Sequence, residues 1–462
     1  MSTINKERPT MPMRESKERI KDFEEVNLGL TEEAAVLEAK RCLLCKKPLC
    51  VSGCPVGINI PQFIGFIAER DFQSAADSLL KDNMLPCVTG RVCPQESQCE
   101  SKCIRGIKNE PIAIGYLERF IADWKLAQNQ KAEKIKSVGK KIAVVGSGPA
   151  GLTAAGILSD FGIDVTIYEA FHTAGGVLVY GIPEFRLPKA IVKKEVERLT
   201  EKGVNIEYNH IIGKIYTLSE LKNKYDAVFI SNGAGLPVFM DIRGENLKGV
   251  YSANEFLTRV NLMRANQFPE NSDTPILKGQ NVVVVGGGNV AMDAVRTAKR
   301  LGAKNAIICY RRTKEEMPAR VEEVEHAVEE EIEFHTLISP VEIVGDENDC
   351  VKEIVCQNMM LIDEVDKSGR QKVAPIHGDI DRFDCDVVVI AIGTLANPIL
   401  TQNEKELELN SRNNIIVDDS NMMTSIDGVF AGGDIVRGAA TVILAMGDGK
   451  KAAYAIKEYL GV

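Results

Sequence analysis

Eight of the twelve cysteines fall before residue 104. They run Cys42-x2-Cys45-x4-Cys50-x3-Cys54-Pro55, then Cys87, then Cys93-Pro94-x4-Cys99-x3-Cys103. In a reducing compartment, thiols clustered in this way favour metal or redox chemistry over a disulfide scaffold. Two-cluster ferredoxins use a similar run ending in Cys-Pro, whose last cysteine serves the other cluster. Zinc is the competing reading, because Cys-x2-Cys pairs build structural zinc sites. This segment holds one such pair and no His before residue 172, which favours iron–sulfur.

Two glycine-rich turns could hold dinucleotides. In Gly146-Ser147-Gly148-Pro149-Ala150-Gly151, Gly146 makes the tight turn, Gly148 lets the backbone approach a pyrophosphate, and Gly151 permits close helix packing. The helix that follows offers free N–H groups and a partial positive charge to the phosphates. Glu169 closes the next strand, where an acid can bind a ribose hydroxyl. The second turn is Gly286-Gly287-Gly288-Asn289-Val290-Ala291, with Ala in the third glycine position. Aligning the units at the ends of their second strands, one residue longer after Gly302 than after Gly162, sets Tyr310 where Glu169 stood, followed by Arg311 and Arg312. Two guanidinium groups and no acid favour a 2'-phosphate, hence NADP over NAD. The competing reading is that these arginines only solvate a strand end.

The elements that must carry these residues follow from the pattern. Ile142 to Val145, a helix to about Phe161 and Val165 to Glu169 form one β-α-β unit; Asn281 to Val285, a helix to Leu301 and Ala306 to Tyr310 form another, about 140 residues on. Strands Ala227 to Ile230 and Val387 to Ile390, each followed by Gly, suit crossings between the two nucleotide domains. The expected fold is α/β: a helical N-terminal iron–sulfur domain followed by two Rossmann-like domains, the NADPH domain inserted in the FAD domain. Expected boundaries are 1–137 for the cluster domain, 138–240 and 394–462 for the FAD domain, and 241–393 for the NADPH domain. The polar stretch Ala127 to Lys141 reads as a linker.

Apolar and charged fractions of 45% and 26% are those of a soluble protein. No apolar run approaches the roughly 20 residues of a membrane span, and Met1 to Arg19 lacks an apolar signal core, so a cytoplasmic location is expected. A net charge of -9 gives no basic footprint for nucleic acid.

The C-terminal Gly428-Val429-Phe430-Ala431-Gly432-Gly433-Asp434, followed by Ala439-Ala440-Thr441-Val442-Ile443, resembles the second FAD signature of flavoproteins with two dinucleotide domains. That resemblance places flavin in the first unit, with Asp434 at its ribityl or pyrophosphate region and the helix near Thr441 pointing at its ring; Gly433, Ala440 and Val442 join the set. The whole chain resembles the glutamate synthase small subunit family, and is especially similar to the large subunit of NADH-dependent ferredoxin:NADP oxidoreductase. Its N-terminal half resembles dihydropyrimidine dehydrogenase. The shared motifs are Cys54-Pro55-Val56-Gly57-Ile58, Gly90-Arg91-Val92-Cys93-Pro94-Gln95, the first glycine turn, Tyr180-Gly181-Ile182-Pro183-Glu184-Phe185-Arg186-Leu187-Pro188 and Ala440-Thr441-Val442-Ile443-Leu444-Ala445-Met446-Gly447.

The resemblance implies one 4Fe-4S cluster on Cys42, Cys45, Cys50 and Cys103, and another on Cys54, Cys93, Cys99 and a non-cysteine ligand. It also adds Gly176 and Arg186 to the cofactor-binding set. Two departures stand out: Thr89 replaces a cysteine that relatives often carry, with Cys87 two residues earlier, and Asp448 occupies a position usually small and neutral. Cys87 reads as a buried thiol rather than a ligand. Glu118 is the candidate fourth ligand, since relatives place Glu or Gln there. It also lies within the stripe Ile114, Leu117, Ile121 and Trp124, the buried face of a helix. An unpaired buried carboxylate is costly, so it needs a proton, a cation or a metal; an ion pair with Arg91 or Arg105 is the alternative.

The resulting expectation is hydride transfer between NADPH and FAD and single-electron transfer through two clusters to or from a partner. The partner is a second flavoprotein or iron–sulfur subunit, or a ferredoxin, with electron bifurcation one mode open to it and a hetero-oligomer the expected assembly. The alternatives are the small subunit of an NADPH glutamate synthase and, more distantly, a non-catalytic redox sensor. A thiol–disulfide reductase would need a reactive cysteine pair near the flavin, and no Cys lies between Cys103 and Cys309. No catalytic side chain is required, because the cofactors carry the chemistry.

Overall fold

The computed structural model describes residues 7–366 and 369–462. Helices α1 (Glu32–Ala39), α2 (Ile60–Ala68), α3 (Phe72–Asp82), α4 (Pro86–Val92) and α5 (Ile114–Ala127) build the cysteine-bearing region. On α5, Ile114, Leu117, Glu118 and Ile121 are buried and Trp124 is half-buried, as the stripe predicts. Residues 128–140 form no helix or strand.

The first nucleotide unit follows: β1 (Lys141–Val145), α6 (Pro149–Asp160), β2 (Asp164–Tyr168), β3 (Asn205–Glu207) and β4 (Ala227–Ile230). The second contains β5 (Val250–Ser252), β6 (Asn281–Val285), α7 (Asn289–Arg300), β7 (Asn305–Tyr310), α8 (Val321–Glu329) and β8 (Glu333–Thr336). An antiparallel sheet of β9 (Ile338–Gly345), β10 (Val351–Val365) and β11 (Gln371–Asp384) is attached to it, before β12 (Val387–Ile390). The chain ends in β13 (Val429–Ala431) and α9 (Val442–Leu460).

Two five-stranded parallel sheets result, ordered β13-β4-β1-β2-β3 and β5-β12-β6-β7-β8. All strands of the second sheet lie in sequence between β4 and β13 of the first, so the second nucleotide fold interrupts the first. The continuous apolar runs of β4, β6 and β12 suit parallel strands covered on both faces. The two crossing segments pair with each other, Leu236 opposite Leu395 and Pro237 opposite Thr394.

One apolar core joins the cysteine region to the first sheet: Ile60, Phe63, Ile64 and Ile67 belong to the same cluster as Leu152, Leu158, Ile443 and Met446. Full burial of each such side chain contributes roughly 1.5–3 kcal/mol, which holds these two regions together. No helix among the described residues is long and apolar enough to cross a membrane.

Candidate cofactor sites

At the first turn Gly146 adopts φ +97° and its N–H donates to the Tyr168 carbonyl at 2.9 Å. A Cβ at Gly151 would overlap the Gly146 carbonyl, whereas one at Gly148 would meet nothing within 4 Å. That open space before Pro149 and Ala150, at the N-terminus of α6, is where a pyrophosphate fits. Gly176 closes it from another side, its Cβ direction pointing 2.9 Å from the Gly148 Cα. Glu169 accepts from the Ser147 N–H at 3.0 Å, from the Ser147 hydroxyl, and from the Phe171 N–H at 2.8 Å. Asn232, just after β4, has a buried Oδ1 with no protein partner, so the chain offers a polar atom for a ligand to satisfy.

The C-terminal part of this site is held by its own contacts. Burial pushes the Asp434 carboxyl up to about 6, although the Ala440 N–H opposes the shift. Thr441 caps α9 by accepting from the Leu444 N–H at 3.4 Å, with Val442 as the first helical residue. Asp448, the departure from the family pattern, accepts from the Gly433 N–H at 3.0 Å and pairs with Arg437. Its charge is thereby neutralised. Arg186, expected in the cofactor-binding set, bonds to Asp293 at 2.7 Å and Glu323 at 2.8 Å, both in the second unit. Its charge is neutralised between domains rather than directed at the first turn.

The second turn repeats the first. Gly286, φ +143°, donates to the Cys309 carbonyl at 2.9 Å. Val145 pairs with Tyr168 and Val285 with Cys309, so strand register sets Tyr310 in the place of Glu169. The Tyr310 ring lies against Gly287, where a Cβ would stand 2.6 Å from Cε2. Beyond Gly288, Asn289 opens α7, Val290 is exposed and Ala291 is buried. The two expected phosphate-binding arginines differ. Arg311 is exposed, while Arg312 is buried, donating to the Gln371 carbonyl at 2.7 Å and to Asp366 at 2.8 Å.

The cysteines fall into two electrostatic groups. In the outer group, Cys42 is pushed up by burial and by Cys103 and Cys45, and Cys50 up to about 11 by burial, Cys103 and Cys42. In the inner group, Cys54, Cys93 and Cys99 are raised by burial and then by neighbours that for each include Glu118. Glu118 is 4% exposed and burial pushes it up to about 7. It accepts from Asn83 Nδ2 at 2.9 Å and from the Thr89 hydroxyl, both neutral. Thr89, where relatives often carry cysteine, thus supports Glu118. Arg91, weighed as an ion-pair partner for Glu118, is held by Glu25 and Asp123. Cys87 is buried beside Glu195, whose carboxylate accepts its backbone N–H at 3.0 Å.

Among the described residues no three His, Cys, Asp or Glu side chains converge as ligands of a single ion. The inner group also touches the first nucleotide unit. Lys450 of α9 donates to the Val56 carbonyl at 2.7 Å, and a Cβ at Gly447 would lie 3.0 Å from the carbonyl of Pro55, next to Cys54. The outer group faces solvent, with exposed Leu43, Leu49 and Ile104 lining its cavity.

Reading the sequence singled out Asp448 but missed its pairing with Arg437, and it missed the ligand-facing Asn232 and the buried ion network around Arg186. Of these, Asn232 carried a local signal, as a polar residue two positions past a fully buried strand.

Comparison with known proteins adds three findings. Residues 19–130 match the family model for dihydropyrimidine dehydrogenase domain II, 4Fe-4S cluster, and residues 140–449 that for pyridine nucleotide-disulphide oxidoreductase. The glutamate synthase [NADPH] small chain of Escherichia coli K12 is 34% identical, over 99% of this chain and 98% of that protein. The beta subunit of the NADP(+)-dependent formate dehydrogenase of Moorella thermoacetica is 38% identical over 89% of this chain, which spans 60% of that relative's length. Mycobacterium tuberculosis FprA, solved in complex with NADPH, shares the fold at TM-score 0.58 and 21% identity, over 70% of this chain and 84% of that one.

Proposed function

The chain belongs to the family of glutamate synthase small chains and related NADPH oxidoreductase beta subunits, and from that premise we propose that it exchanges electrons between NADPH and a partner subunit by way of FAD and two 4Fe-4S clusters. It is an NADPH-dependent flavin and iron–sulfur oxidoreductase. When bound, FAD exchanges hydride with NADPH and the clusters carry electrons singly.

The chain's own residues bind and orient. Gly146, Gly148, Gly151 and Gly176 clear the space for the FAD pyrophosphate, Glu169 holds the ribose end, and Thr441 fixes the start of α9. Gly286, Gly288 and Asn289 do the same for NADPH, with Arg311 on the 2'-phosphate. Cys54, Cys93, Cys99 and Glu118 hold the inner cluster, and Cys42, Cys45, Cys50 and Cys103 the outer one. The observation that carries this reading is the placement of the two groups, one against α9 of the FAD unit and the other open to solvent. A partner of the ferredoxin:NADP oxidoreductase type is met at the outer group, whose exposed neighbours Lys46, Lys47 and Lys102 suit an acidic redox protein.

Protein purified without oxygen should hold one FAD and, for two four-iron clusters, about eight iron atoms with matching acid-labile sulfide. Stoichiometric zinc without sulfide would overturn the cluster assignment. The near-complete span shared with the Escherichia coli glutamate synthase small chain favours a second reading, delivery of electrons to a glutamate-forming large subunit. The chain that copurifies from native extract separates the two.

A further inference from the structure

The segment before α8 touches two sites at once. The Ala319 N–H donates to the carbonyl of Gly287, inside the second glycine turn, at 3.2 Å. The Arg320 N–H donates to the side chain of Asn289, the first residue of α7, at 2.9 Å. The guanidinium of the same arginine, in a residue 6% exposed, points away from the nucleotide turn into the cysteine region. It donates to the Arg91 carbonyl at 3.2 Å, to Gln95 Oε1 at 3.1 Å and to Glu96 at 3.2 Å, and pairs with Glu322 at 2.8 Å.

Three of these four partners flank Cys93. Arg91 is the penultimate residue of α4, and Gln95 and Glu96 follow Cys93-Pro94 directly. Gln95 in turn packs on Gly115, where any side chain would overlap it, and donates to the Thr89 carbonyl at 3.4 Å. Gly115 lies one helical turn before Glu118 on α5, and Thr89 is the residue whose hydroxyl supports Glu118. Arg320 therefore grips the loop of one inner ligand and, through Gln95, the helix of another. Among the groups acting most strongly on the Cys93 thiol, Arg320 is the cation, opposed by Glu118, Cys99 and Cys54.

Resting on the two-cluster reading above, we infer that Arg320 is a positioning residue that couples the second nucleotide turn to the inner cysteine group, so that NADP occupancy changes the reduction potential of the inner cluster. A planar fork bonded to three acceptors on the cysteine loop transmits displacement that a single ammonium cannot. Its fixed positive charge also favours the more negative, reduced form of that cluster. By linkage, reducing the cluster changes NADP affinity by the same factor that NADP binding changes the cluster's redox equilibrium.

The test is an anaerobic redox titration of the holoprotein followed by EPR, with and without saturating NADP+, for the wild type, Arg320→Lys and Arg320→Gln. The inner signal is identified as the one that Glu118→Cys displaces. In the wild type NADP+ should move the inner midpoint and leave the outer one in place. Arg320→Gln should have a more negative inner midpoint than the wild type and no response to NADP+. Arg320→Lys, retaining the charge, should stay near the wild-type midpoint yet lose the response. Should Arg320→Gln fail to load its inner cluster, the lysine variant decides: a full NADP+ response in it would overturn the coupling. Two wild-type signals with an inner midpoint indifferent to bound NADP+ would overturn the coupling alone. A single signal from wild type with full FAD would overturn the two-cluster reading and take the coupling with it.

Discussion

The inner and outer cysteine groups use the same thiol chemistry in opposite surroundings. The inner group is walled in by α4, α5 and the Cys54 loop against α9, and its fourth member is a carboxylate held by Asn83 and Thr89. The outer group is all cysteine, half-buried, and rimmed by exposed Leu43, Leu49 and Ile104, with Ile107 nearby at 77% exposure. In the inner group Cys93, Cys99 and Glu118 are buried and Cys54 is half-buried, so protein groups dominate its surroundings. Exposure lets the outer group meet another protein. In the proposed reading the ligand type follows the setting, with Glu118 serving where two neutral donors orient it.

Breaking the inner group should have the largest effect. Glu118→Ala removes the proposed fourth ligand, while the Asn83 amide keeps the Thr89 oxygen as acceptor and the Thr89 hydroxyl keeps the Leu85 carbonyl. Iron should fall from about eight toward about four atoms per chain, with loss of one EPR signal and retention of the outer one. Glu118→Cys should keep the iron and shift a single potential. Wild-type iron, signals and potentials in both variants would exclude Glu118 as a ligand and make Cys87 the next residue to test.

Reversing the charge beside the outer group comes next. Lys46→Glu, Lys47→Glu and Lys102→Glu together should slow electron exchange with an acidic partner by about 10-fold or more at low salt, while flavin reduction by NADPH is unchanged. Equal slowing of both steps would contradict a docking role confined to the outer group.

A smaller effect is expected where the two glycine turns differ. Glu169 and Tyr310 occupy the same register position, and in the proposed reading the phosphate preference of the second turn falls to Arg311, because Asp366 already neutralises Arg312. Arg311→Ala should reduce the preference for NADPH over NADH by about 1.5–3 kcal/mol, the value of a charge-assisted hydrogen bond. An unchanged ratio of kcat/KM values would refute this placement. Cys87→Ser should change least. Its backbone is tied to Glu195 away from the inner group, so iron content and both EPR signals should match the wild type.

Much of this comparison was legible in the sequence because it depends on short spacings. The glycine turns follow from the local contacts of Gly146 with Gly151 and from strand register, and the helical stripe around Glu118 from i, i+3 and i+4 positions. What could not be read depends on pairs distant in sequence. Arg320 meets Gln95 and Arg186 meets Asp293 only once separate domains are packed together, and Arg312 meets Asp366 only through the fold of the second unit. Arg186 sits in a family motif and invites a cofactor-binding role from its position alone, but two carboxylates from the other nucleotide unit claim its charge. Charged residues show their valence in a sequence and conceal their partners.

The central claim, that NADPH electrons pass through flavin to an inner and then an outer cluster, is tested most directly by anaerobic stopped-flow mixing with NADPH, with freeze-quenched EPR alongside. Flavin bleaching should precede the cluster signals in the wild type. In Glu118→Ala the flavin should still bleach while reduction of the outer cluster is slowed or lost. Rapid outer-cluster reduction in that variant, at wild-type rate and with the inner cluster absent, would contradict the order of the two groups.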